Sequence, residues 1–375
     1  MTAQPAHPCS SSSASGKAAH RPRRVLLGPV FTDNPYTDRL IEALQRQGFD
    51  VRPLEDPRAF DGAARWLEAG DVLHLQWAHV FTVGRHALGS IRGTARLLWR
   101  IKRLRSRGVR VVWTVHNLVH HEACEGSGGR TQRWAMRRLA RACDALVVHG
   151  AAGAQLVRET YRIPDATIAV VDHPSFIGSY PAVIPQDDAR HRLGLPHDAV
   201  VLAHIGQLRR YKGVMRLVEA FAAIERSGAY LIVAGKAGDT ATIDMLRKAA
   251  ANDNQIRLFE GFVPDDEIQI YMAAADAVVL PYERVFTSGS VALAGTFGRA
   301  VIAPAVGCLP DQVGETGLLY EPAQAGAIET ALTRACGDRA SLLAMGMEAQ
   351  QLAMTRTWDA LARGVASIYY NHSGR

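Results

Sequence analysis

The sequence predicts an α/β protein with two doubly wound parallel domains that face each other across a cleft. The chain has 375 residues, of which 48% are hydrophobic, and a chain of this length usually forms more than one core. Short β-branched segments alternate with longer amphipathic segments, a pattern typical of parallel sheets with crossover helices. The alternation runs to about residue 171, is interrupted, and restarts at residue 200. We therefore expect two consecutive domains of one architecture.

In the N-terminal half, six strand-like segments alternate with four helical ones. The segments predicted as strands are short and rich in Val, Ile and Leu, whereas the predicted helices have apolar residues at helical spacing. The predicted strands are residues 25–27, 49–52, 72–76, 111–115, 145–148 and 168–171, and the predicted helices are 38–47, 91–107, 132–142 and 152–161.

The alternation breaks between residues 172 and 198, where four prolines and two glycines interrupt any long element and only a short helix is expected. It then resumes, and the last 30 or so residues are helical by pattern. In this half the predicted strands are residues 200–205, 230–234, 256–259, 277–280 and 301–303, and the predicted helices are 213–226, 240–252, 265–274, 289–297 and 341–370.

These patterns define the expected domain boundaries. Residues 1–21 are rich in Ser and Ala, lack the apolar segment of a secretory signal, and are predicted to be a disordered tail. An N-terminal domain at 22–178, a linker at 179–198 and a C-terminal domain at 199–352 follow. Residues 353–375 are expected to form a helix that packs back on the N-terminal domain.

The formal net charge of +7 points to an anionic partner. Basic residues concentrate in segments 92–110 and 130–141, where they alternate with Leu, Ile, Trp and Met at helical spacing. Such helices either lie on an anionic membrane surface or are packed helices with a basic solvent face, and both interpretations stay open. Without a recognisable nucleic-acid-binding motif, nucleic acid is not expected as a partner.

Cellular location follows from cysteine usage and hydropathy. The five cysteines form no C-x-x-C pair, which argues against a zinc site and a disulfide framework and fits a reducing cytoplasm. Apolar runs are far shorter than the roughly 20 residues of a membrane span. We expect a cytoplasmic protein that associates peripherally with the inner face of the plasma membrane.

The strongest chemical signal is residues 206–213, GQLRRYKG, which follow a predicted strand and open a helix. Gly206 permits close backbone approach, and Arg209 and Lys212 place two cations at a helix N-terminus that itself favours anions. This combination suits a diphosphate, although strand ends with a glycine and basic residues are also common in α/β proteins without such a role. The spacing matches neither a P-loop nor a G-x-G-x-x-G turn.

A second candidate phosphate site lies at residues 280–290, again between a strand and a helix. Ser288, Gly289 and Ser290 occupy helix-capping positions, where hydroxyls and free N–H groups could receive phosphate oxygens or simply cap the helix. Phe262 and Val263 follow another strand and could contact a nucleobase. In parallel sheets ligands bind at the carboxyl ends of strands, so these sites are expected to converge.

In the N-terminal half, residues 113–122, WTVHNLVHHE, begin in a strand and extend past its end. Their histidines, asparagine and carboxylate could orient a sugar or accept a proton from an attacking hydroxyl. Gln76, Trp77 and His79 could line the same cleft, while His74 is expected to be a buried core residue. The histidines lack firm metal-ligand spacing, so we expect no metal and no cofactor.

Taken together, these segments resemble the GT-B glycosyltransferases, in particular the family-four-like group and the bacterial β-mannosyltransferases of exopolysaccharide assembly. The resemblance covers most of the chain. It implies two Rossmann-like domains, a nucleotide-sugar donor bound mainly by the second, an acceptor approaching the first, and transfer without a metal. The residues that carry it are Asn34-Pro35-Tyr36, His74-Leu75-Gln76-Trp77, His116-Asn117-Leu118, His121-Glu122, Gly206, Arg209, Tyr211-Lys212-Gly213, Leu280-Pro281-Tyr282, Ser288-Gly289 and residues 298–301.

The resemblance also implies roles for individual residues. His116, Glu122, Arg209 and Lys212 are the predicted catalytic residues, with His116 facing the reacting sugar and the two cations neutralising the departing diphosphate. The predicted donor-binding residues are Gly206, Arg209, Lys212, Phe262, Val263, Tyr282, Glu283, Ser288, Gly289 and Ser290. The predicted acceptor or cleft residues are Asn34, Tyr36, Gln76, Trp77, Asn117 and His121.

The sequence departs from the family at one point. Many retaining members carry two glutamates eight positions apart, and the corresponding positions here are Val285 and Leu293. Retention of anomeric configuration is therefore open. An inverting enzyme needs a general base, for which Glu122 is the first candidate and Asp33 the second, although Glu122 could equally brace its loop.

The favoured function is transfer of a hexose from a nucleotide diphosphate donor to a lipid-linked saccharide in exopolysaccharide or surface glycan assembly. Mannose from GDP-mannose is the first choice of donor, with glucose from its uridine donor as the alternative. Two functions other than glycosyl transfer stay open. One is a non-catalytic nucleotide-sugar-binding protein, which the missing glutamate pair favours, and the other is a sugar-nucleotide epimerase of the same fold.

Overall fold

The computed structural model describes residues 24–31, 35–84, 86–119 and 126–370. The predicted tail at residues 1–21 lies outside the described residues. Within these ranges, two parallel six-stranded sheets are each covered by helices on both faces. The predicted α/β class with two doubly wound sheets is confirmed.

The first sheet lies in the N-terminal half, with the order β2-β1-β3-β4-β5-β6 and all described strand pairs parallel. The order in which successive strands are added reverses between β1 and β3, which makes this the switch point of the sheet. The strands are β1 Arg24–Gly28, β2 Asp50–Pro53, β3 Val72–Leu75, β4 Arg110–Thr114, β5 Ala145–Val148 and β6 Ile168–Val170, and the helices are α1 Pro35–Arg46, α2 Phe60–Ala63, α3 Ala87–Ser106, α4 Gly126–Ala142 and α5 Ala151–Tyr161.

The second sheet has the order β12-β11-β10-β7-β8-β9, again parallel in every described pair. Here the switch lies between β7 and β10. The strands are β7 Val200–Ile205, β8 Ala229–Gly235, β9 Ile256–Glu260, β10 Ala277–Val279, β11 Ala300–Pro304 and β12 Gly317–Tyr320, and the helices are α6 Gln186–Arg192, α7 Val214–Ala223, α8 Thr240–Asn252, α9 Ile268–Ala274, α10 Gly289–Thr296, α11 Leu309–Val313, α12 Ala327–Gly337, α13 Arg339–Thr355 and α14 Trp358–Tyr370.

Strand side chains alternate between two cores in each sheet. In β1, Val25 and Leu27 pack in the core that contains α1 and α14, whereas Leu26 packs in the core that contains α3 and α4. In β7, Leu202 faces α7 and α12, and its neighbour Val201 faces α9 and α10. Both faces of these strands are apolar because both are covered, as expected for parallel sheets.

The segment predicted as a linker contains a helix that docks on the second sheet's domain. Arg190 of α6 is fully buried and forms an ion pair of 2.9 Å with the equally buried Asp276. Arg339 binds the other carboxylate oxygen of Asp276 at 3.0 Å. A buried carboxylate is stable only with such partners, so Asp276 ties α6 and α13 to the start of β10.

The predicted C-terminal helix is broken into two parts. α13 packs on α10 of the C-terminal half, and α14 packs on α1 of the N-terminal half. The break falls at Arg356, whose guanidinium donates to the carbonyl groups of Gln312 at 3.1 Å and Asp311 at 3.3 Å. The sequence pattern predicted one helix over residues 341–370 and gave no indication of this break.

Within the described part of the chain, no helix combines the length and the apolar character that a membrane crossing requires.

Candidate active site

A cavity of about 240 Å³ lies between the two sheets, at the carboxyl ends of their strands. This is the position at which parallel α/β sheets bind ligands. Both halves of the chain contribute to its wall. The lining residues are Tyr36, Trp77, His116, Asn117, His173, Phe176, Tyr211, Lys212, Tyr282, Arg284, Val285, Thr287, Ser288, Gly289 and Ser290.

The wall formed by the N-terminal half is built on polar residues that follow four neighbouring strands. Gln76 follows β3, His116 follows β4, His149 follows β5 and His173 follows β6. All four side chains are buried. Because the strands are parallel and adjacent, their ends bring these residues together.

His116 is held between aromatic rings. Its imidazole stacks on Trp77 with centroids 4.5 Å apart and an interplanar angle of 14°. Tyr36 meets it edge-on at 5.0 Å. The Nε2–H of His116 donates to the amide oxygen of Gln76 at 2.8 Å. The two ring contacts and the hydrogen bond together fix the orientation of the His116 ring.

The remaining two histidines are also hydrogen-bonded. The Nδ1–H of His149 donates to the carbonyl of Val171 at 2.8 Å, and its Nε2 accepts from the Tyr36 hydroxyl at 3.2 Å. The Nδ1–H of His173 donates to the carbonyl of Pro174 at 2.8 Å. Their rings lie 5.0 Å apart. In this arrangement each ring is neutral with Nδ1 protonated.

Burial keeps these groups uncharged at neutral pH. It lowers the pKa of His173 to about 3 and that of His149 to about 4, since a buried imidazolium loses its hydration. For His116 burial and the neighbouring histidines hold the pKa well below its usual value. Burial raises the pKa of the Tyr36 phenol far above its usual value. This wall presents neutral hydrogen-bonding groups to a ligand.

The opposite wall consists of two loops of the C-terminal half, which follow β7 and β10 on either side of the switch point. The Glu283 N–H donates to the Tyr211 carbonyl at 3.2 Å, which joins the loops. Gly213 has a φ of 71°, and a Cβ at this position would collide with the carbonyl oxygen of Pro281. Glycine is therefore required for the loops to approach this closely.

With Arg284, Lys212 is one of two cations among the described lining residues of this wall. It belongs to a 3₁₀ turn, Arg210–Lys212, and lines the cavity. Its ammonium lies 5.8 Å from the centroid of the Tyr282 ring. The charge lies near an aromatic surface, and it is placed to attract an anion that enters the cavity.

Hydroxyl groups cluster beside this lysine. The Tyr282 hydroxyl lies 3.2 Å from the side-chain oxygens of both Ser288 and Ser290. Ser288 stands at the N-cap of α10, but its side chain makes no capping hydrogen bond. Instead the side-chain amide of Gln312 binds the Ser288 backbone N–H at 3.0 Å and its carbonyl at 3.3 Å. Ser288 and Ser290 both line the cavity at the N-terminus of α10, and the Ser288 hydroxyl does not cap the helix.

The two halves are joined beside the cavity. The Asp311 carboxylate accepts a hydrogen bond of 2.7 Å from the Ala152 N–H at the start of α5. The Phe176 N–H donates to the Thr296 hydroxyl at 2.9 Å. Asp311 adjoins Gln312, the residue that holds Ser288. The short helix α11 therefore contributes both to the contact between the halves, through Asp311, and to the position of Ser288, through Gln312.

Several predicted site residues lie together in this cavity. From the N-terminal half these are Tyr36, Trp77, His116 and Asn117, and from the C-terminal half Lys212, Tyr282, Ser288, Gly289 and Ser290. Other predicted residues are outside the lining. Gln76 lies behind His116, Glu283 lines a neighbouring apolar cavity, Phe262 is 75% exposed and Val263 packs against the core. Arg209 is the N-cap of the lysine turn, and Gly206 precedes it in the same loop. Asn34, His121 and Glu122, as well as Asp33, lie outside the described residues.

The positions of the missing glutamate pair are apolar in the structure as well. Val285 lines the cavity, and Leu293 packs between two cores. Neither position presents a carboxylate to a ligand.

Five further residues at the site were not predicted from the sequence, namely His149, His173, Phe176, Arg284 and Thr287. A signal for the histidines existed, since each comes directly or shortly after a predicted strand, and the strand-end rule applies to them as it does to His116. Within residues 24–31, 35–84, 86–119 and 126–370, no group of three His, Cys, Asp or Glu side chains is arranged to hold a metal ion.

Two facing parallel α/β domains with a cavity between their strand ends define the GT-B class of glycosyltransferases. The solved structure of sucrose-phosphate synthase from Thermosynechococcus elongatus has this fold, with a TM-score of 0.70 and 19% identity over 93% of this chain and 98% of that one. The glycosyltransferase family 4 model matches residues 34–174, and the glycosyl transferases group 1 model matches residues 199–338.

Curated relatives agree with these matches. D-inositol 3-phosphate glycosyltransferase 1 from Catenulispora acidiphila is 31% identical over 284 residues, which are 71% of this chain and 67% of the relative. GDP-mannose:glycolipid 4-beta-D-mannosyltransferase from Xanthomonas campestris pv. campestris is 27% identical over 317 residues, 81% of this chain and 82% of the relative. The chain belongs to the family 4 and group 1 glycosyltransferases, as the sequence predicted, and is an enzyme of that class.

Proposed function

We propose that the protein transfers mannose from GDP-mannose to a lipid-linked saccharide acceptor during assembly of an exopolysaccharide or surface glycan. The observation that carries the proposal is the convergence of Lys212 with Ser288, Gly289 and Ser290 on one cavity at the strand ends of the second sheet. The choice of mannose and of a glycolipid acceptor is supported by the similarity to the Xanthomonas mannosyltransferase described above.

The diphosphate of the donor is placed between the two loops of the C-terminal half. As the bond between the sugar C1 and the diphosphate oxygen breaks, negative charge develops on the leaving group. Lys212 offsets this charge, and the serine hydroxyls with the N-terminus of α10 donate hydrogen bonds to phosphate oxygens. We propose that these groups serve in place of a metal ion.

The sugar faces the N-terminal wall. His116 and Asn117 contact its hydroxyls, and Trp77 and Tyr36 keep the imidazole in place. The acceptor hydroxyl attacks C1 from the N-terminal side and loses its proton to a base, for which Glu122 remains the candidate from the sequence.

The donor assignment is tested by thermal unfolding with nucleotide sugars. GDP-mannose at about a hundred times its Kd should stabilise the protein by about 2.7 kcal/mol, whereas mannose 1-phosphate, which lacks the nucleotide, should not. Release of GDP should then depend on a lipid-linked saccharide. Stabilisation by UDP-glucose alone would contradict the mannosyl assignment, and an isomerised nucleotide sugar formed without acceptor would show an epimerase.

We further propose that the enzyme works at the inner face of the plasma membrane, with α3 and α4 on the lipid surface. The two helices pack side by side, and each exposes a tryptophan, with Trp99 57% and Trp134 39% exposed. Arg103 lies 5.6 Å from the Trp99 ring, and Arg138 lies 5.9 Å from the Trp134 ring. Tryptophan paired with arginine suits the interface between water and anionic lipid headgroups.

Removing both arginines should weaken binding to anionic vesicles. Each basic residue near an anionic surface contributes about 1 kcal/mol, so Arg103→Ala/Arg138→Ala should lower the partition coefficient about thirtyfold at low salt. The matched control is Arg192→Ala/Arg334→Ala, which removes two exposed arginines of the C-terminal half. Sedimentation with phosphatidylglycerol-containing vesicles measures both variants, and equal losses in the two would refute a specific surface.

A further inference from the structure

A chain of four buried side chains connects the C-terminal helix to the cavity. The Tyr369 hydroxyl lies 2.6 Å from Nδ1 of His74, whose Nε2 lies 3.2 Å from the Gln76 side-chain nitrogen. The Gln76 oxygen lies 2.8 Å from Nε2 of His116. We infer that Tyr369 is a positioning residue that sets which nitrogen of His116 carries the proton, acting through His74 and Gln76. This inference rests on the proposed sugar-binding role of His116.

The direction of each hydrogen bond follows from the chemistry of the Gln76 amide. Its oxygen only accepts, so His116 carries its proton on Nε2. Its nitrogen only donates, so Nε2 of His74 is unprotonated and accepts. His74 is then protonated on Nδ1 and donates to the Tyr369 oxygen. The Thr114 hydroxyl, 2.8 Å from the same His74 Nε2, is a further donor to it.

Only one other assignment of donors and acceptors keeps all the hydrogen bonds between Tyr369, His74, Gln76 and His116, and in it every bond is reversed. Tyr369 would donate to His74, His74 would donate from Nε2 to the Gln76 oxygen, and the Gln76 nitrogen would donate to an unprotonated Nε2 of His116. The chain therefore switches as a unit. The Tyr369 hydroxyl can accept or donate, so it is compatible with either direction, and in the direction described above it is the acceptor that allows His74 to keep its proton on Nδ1.

The surroundings of His116 make the proton position matter. The titratable groups facing it are His149 and His173 from the ends of β5 and β6, His79 from the loop after β3, and Tyr36 from α1. Burial keeps His74 neutral as well, with a pKa lowered to about 3. Since burial lowers the pKa of His74, His149 and His173, no charge on these three rings competes with the hydrogen-bond chain at neutral pH.

The consequence for the site concerns Nδ1. Gln76 occupies Nε2, so Nδ1 is the nitrogen of His116 that remains for a ligand in the cavity. With Nε2 protonated, Nδ1 carries a lone pair that accepts a hydrogen bond from a sugar hydroxyl. In the reversed chain Nδ1 carries a proton and can only donate.

The test uses Tyr369→Phe, which keeps the ring and removes the acceptor. In this variant Nδ1 of His74 has no partner in either direction. An unpaired buried N–H costs more than an unpaired lone pair, such as the one on the buried Nε2 of His204, so the chain should reverse and move the His116 proton to Nδ1. Nitrogen-15 NMR of histidine-labelled, ligand-free protein reports the tautomer directly, and the His116 signals are identified by their loss in His116→Gln. Tyr370→Phe, the adjacent tyrosine, is the matched control and should leave the tautomer unchanged.

A second substitution tests the route. Gln76→Glu supplies an acceptor to both histidines, so in the Tyr369→Phe background it should return the His116 proton to Nε2. An unchanged tautomer in Tyr369→Phe, or no return in the double variant, would overturn the inference. Since the NMR experiment needs no substrate, this result is independent of whether mannose is the sugar transferred.

The kinetic consequence is a lower turnover with little effect on binding. Tyr369→Phe should reduce kcat about tenfold relative to Tyr370→Phe and leave the KM for the donor within about twofold. A reversed tautomer with an unchanged kcat would overturn the positioning role in the reaction.

Discussion

Replacing Lys212 by alanine is expected to lower kcat/KM about a hundredfold. Lys212 is a cation in a cavity whose described N-terminal lining residues are uncharged, and it lines this cavity together with the serines at the N-terminus of α10. Charge on the departing diphosphate grows in the transition state, so the lost interaction appears mainly in kcat. Losing one such contact costs about 3 kcal/mol, which corresponds to that rate factor.

The matched control is Arg210→Ala, two residues earlier in the same 3₁₀ turn and absent from the cavity lining. It should keep near-normal kcat/KM, measured as donor consumption with a lipid-linked acceptor. Equal activity of Lys212→Ala and the wild type would contradict the placement of the diphosphate. Arg209→Ala tests the remaining prediction from the sequence, since a loss as large as that of Lys212→Ala would place Arg209 at the diphosphate in the ligand-bound enzyme.

The N-terminal half is expected to lose stability as the pH falls from 7.5 to 5. Burial lowers the pKa of His74 and His173 to about 3 and that of His149 to about 4, whereas an unfolded histidine titrates near 6.5. Between these values the unfolded state binds more protons, so acid favours unfolding. The stabilisation is complete above about pH 6.5 and declines below it, by about 2 kcal/mol per histidine at pH 5.

Urea unfolding followed by tryptophan fluorescence measures this loss. Five of the six tryptophans lie in the N-terminal half, and the sixth, Trp358, packs in its core. His173→Gln should reduce the difference in unfolding free energy between pH 7.5 and pH 5 by about 2 kcal/mol. His191→Gln, an exposed histidine, should leave the difference unchanged. Equal stability at the two pH values would refute the burial of neutral histidines.

The fold was predictable because its signals are local. Runs such as those of β5 and β7 are apolar on both faces, which identifies covered parallel strands without knowledge of their neighbours. The helix break at Arg356 was not predictable, because it depends on carbonyl groups of Asp311 and Gln312, some 45 residues earlier in the chain.

The candidate site was predictable in part, because strand-end positions are also local signals. Lys212 and the Ser288–Ser290 turn follow strands, and the strand-end rule places them without coordinates. Whether Ser288 caps α10 or faces a ligand was open in the sequence. The structure resolves it, because the Ser288 hydroxyl lies beside the Tyr282 hydroxyl, lines the cavity and makes no capping hydrogen bond.

The sequence by itself determined the two-sheet architecture, the edge of each sheet that carries the chemistry, and the cation and serines of the donor side, because periodicity and strand-end positions are properties of short segments. Tertiary structure alone decided that Tyr369 reaches His74, that four histidines stay neutral, and that Phe262 stays exposed while Lys212 lines the cavity. Burial and hydrogen-bond partners depend on segments distant in the chain, and no local pattern records them.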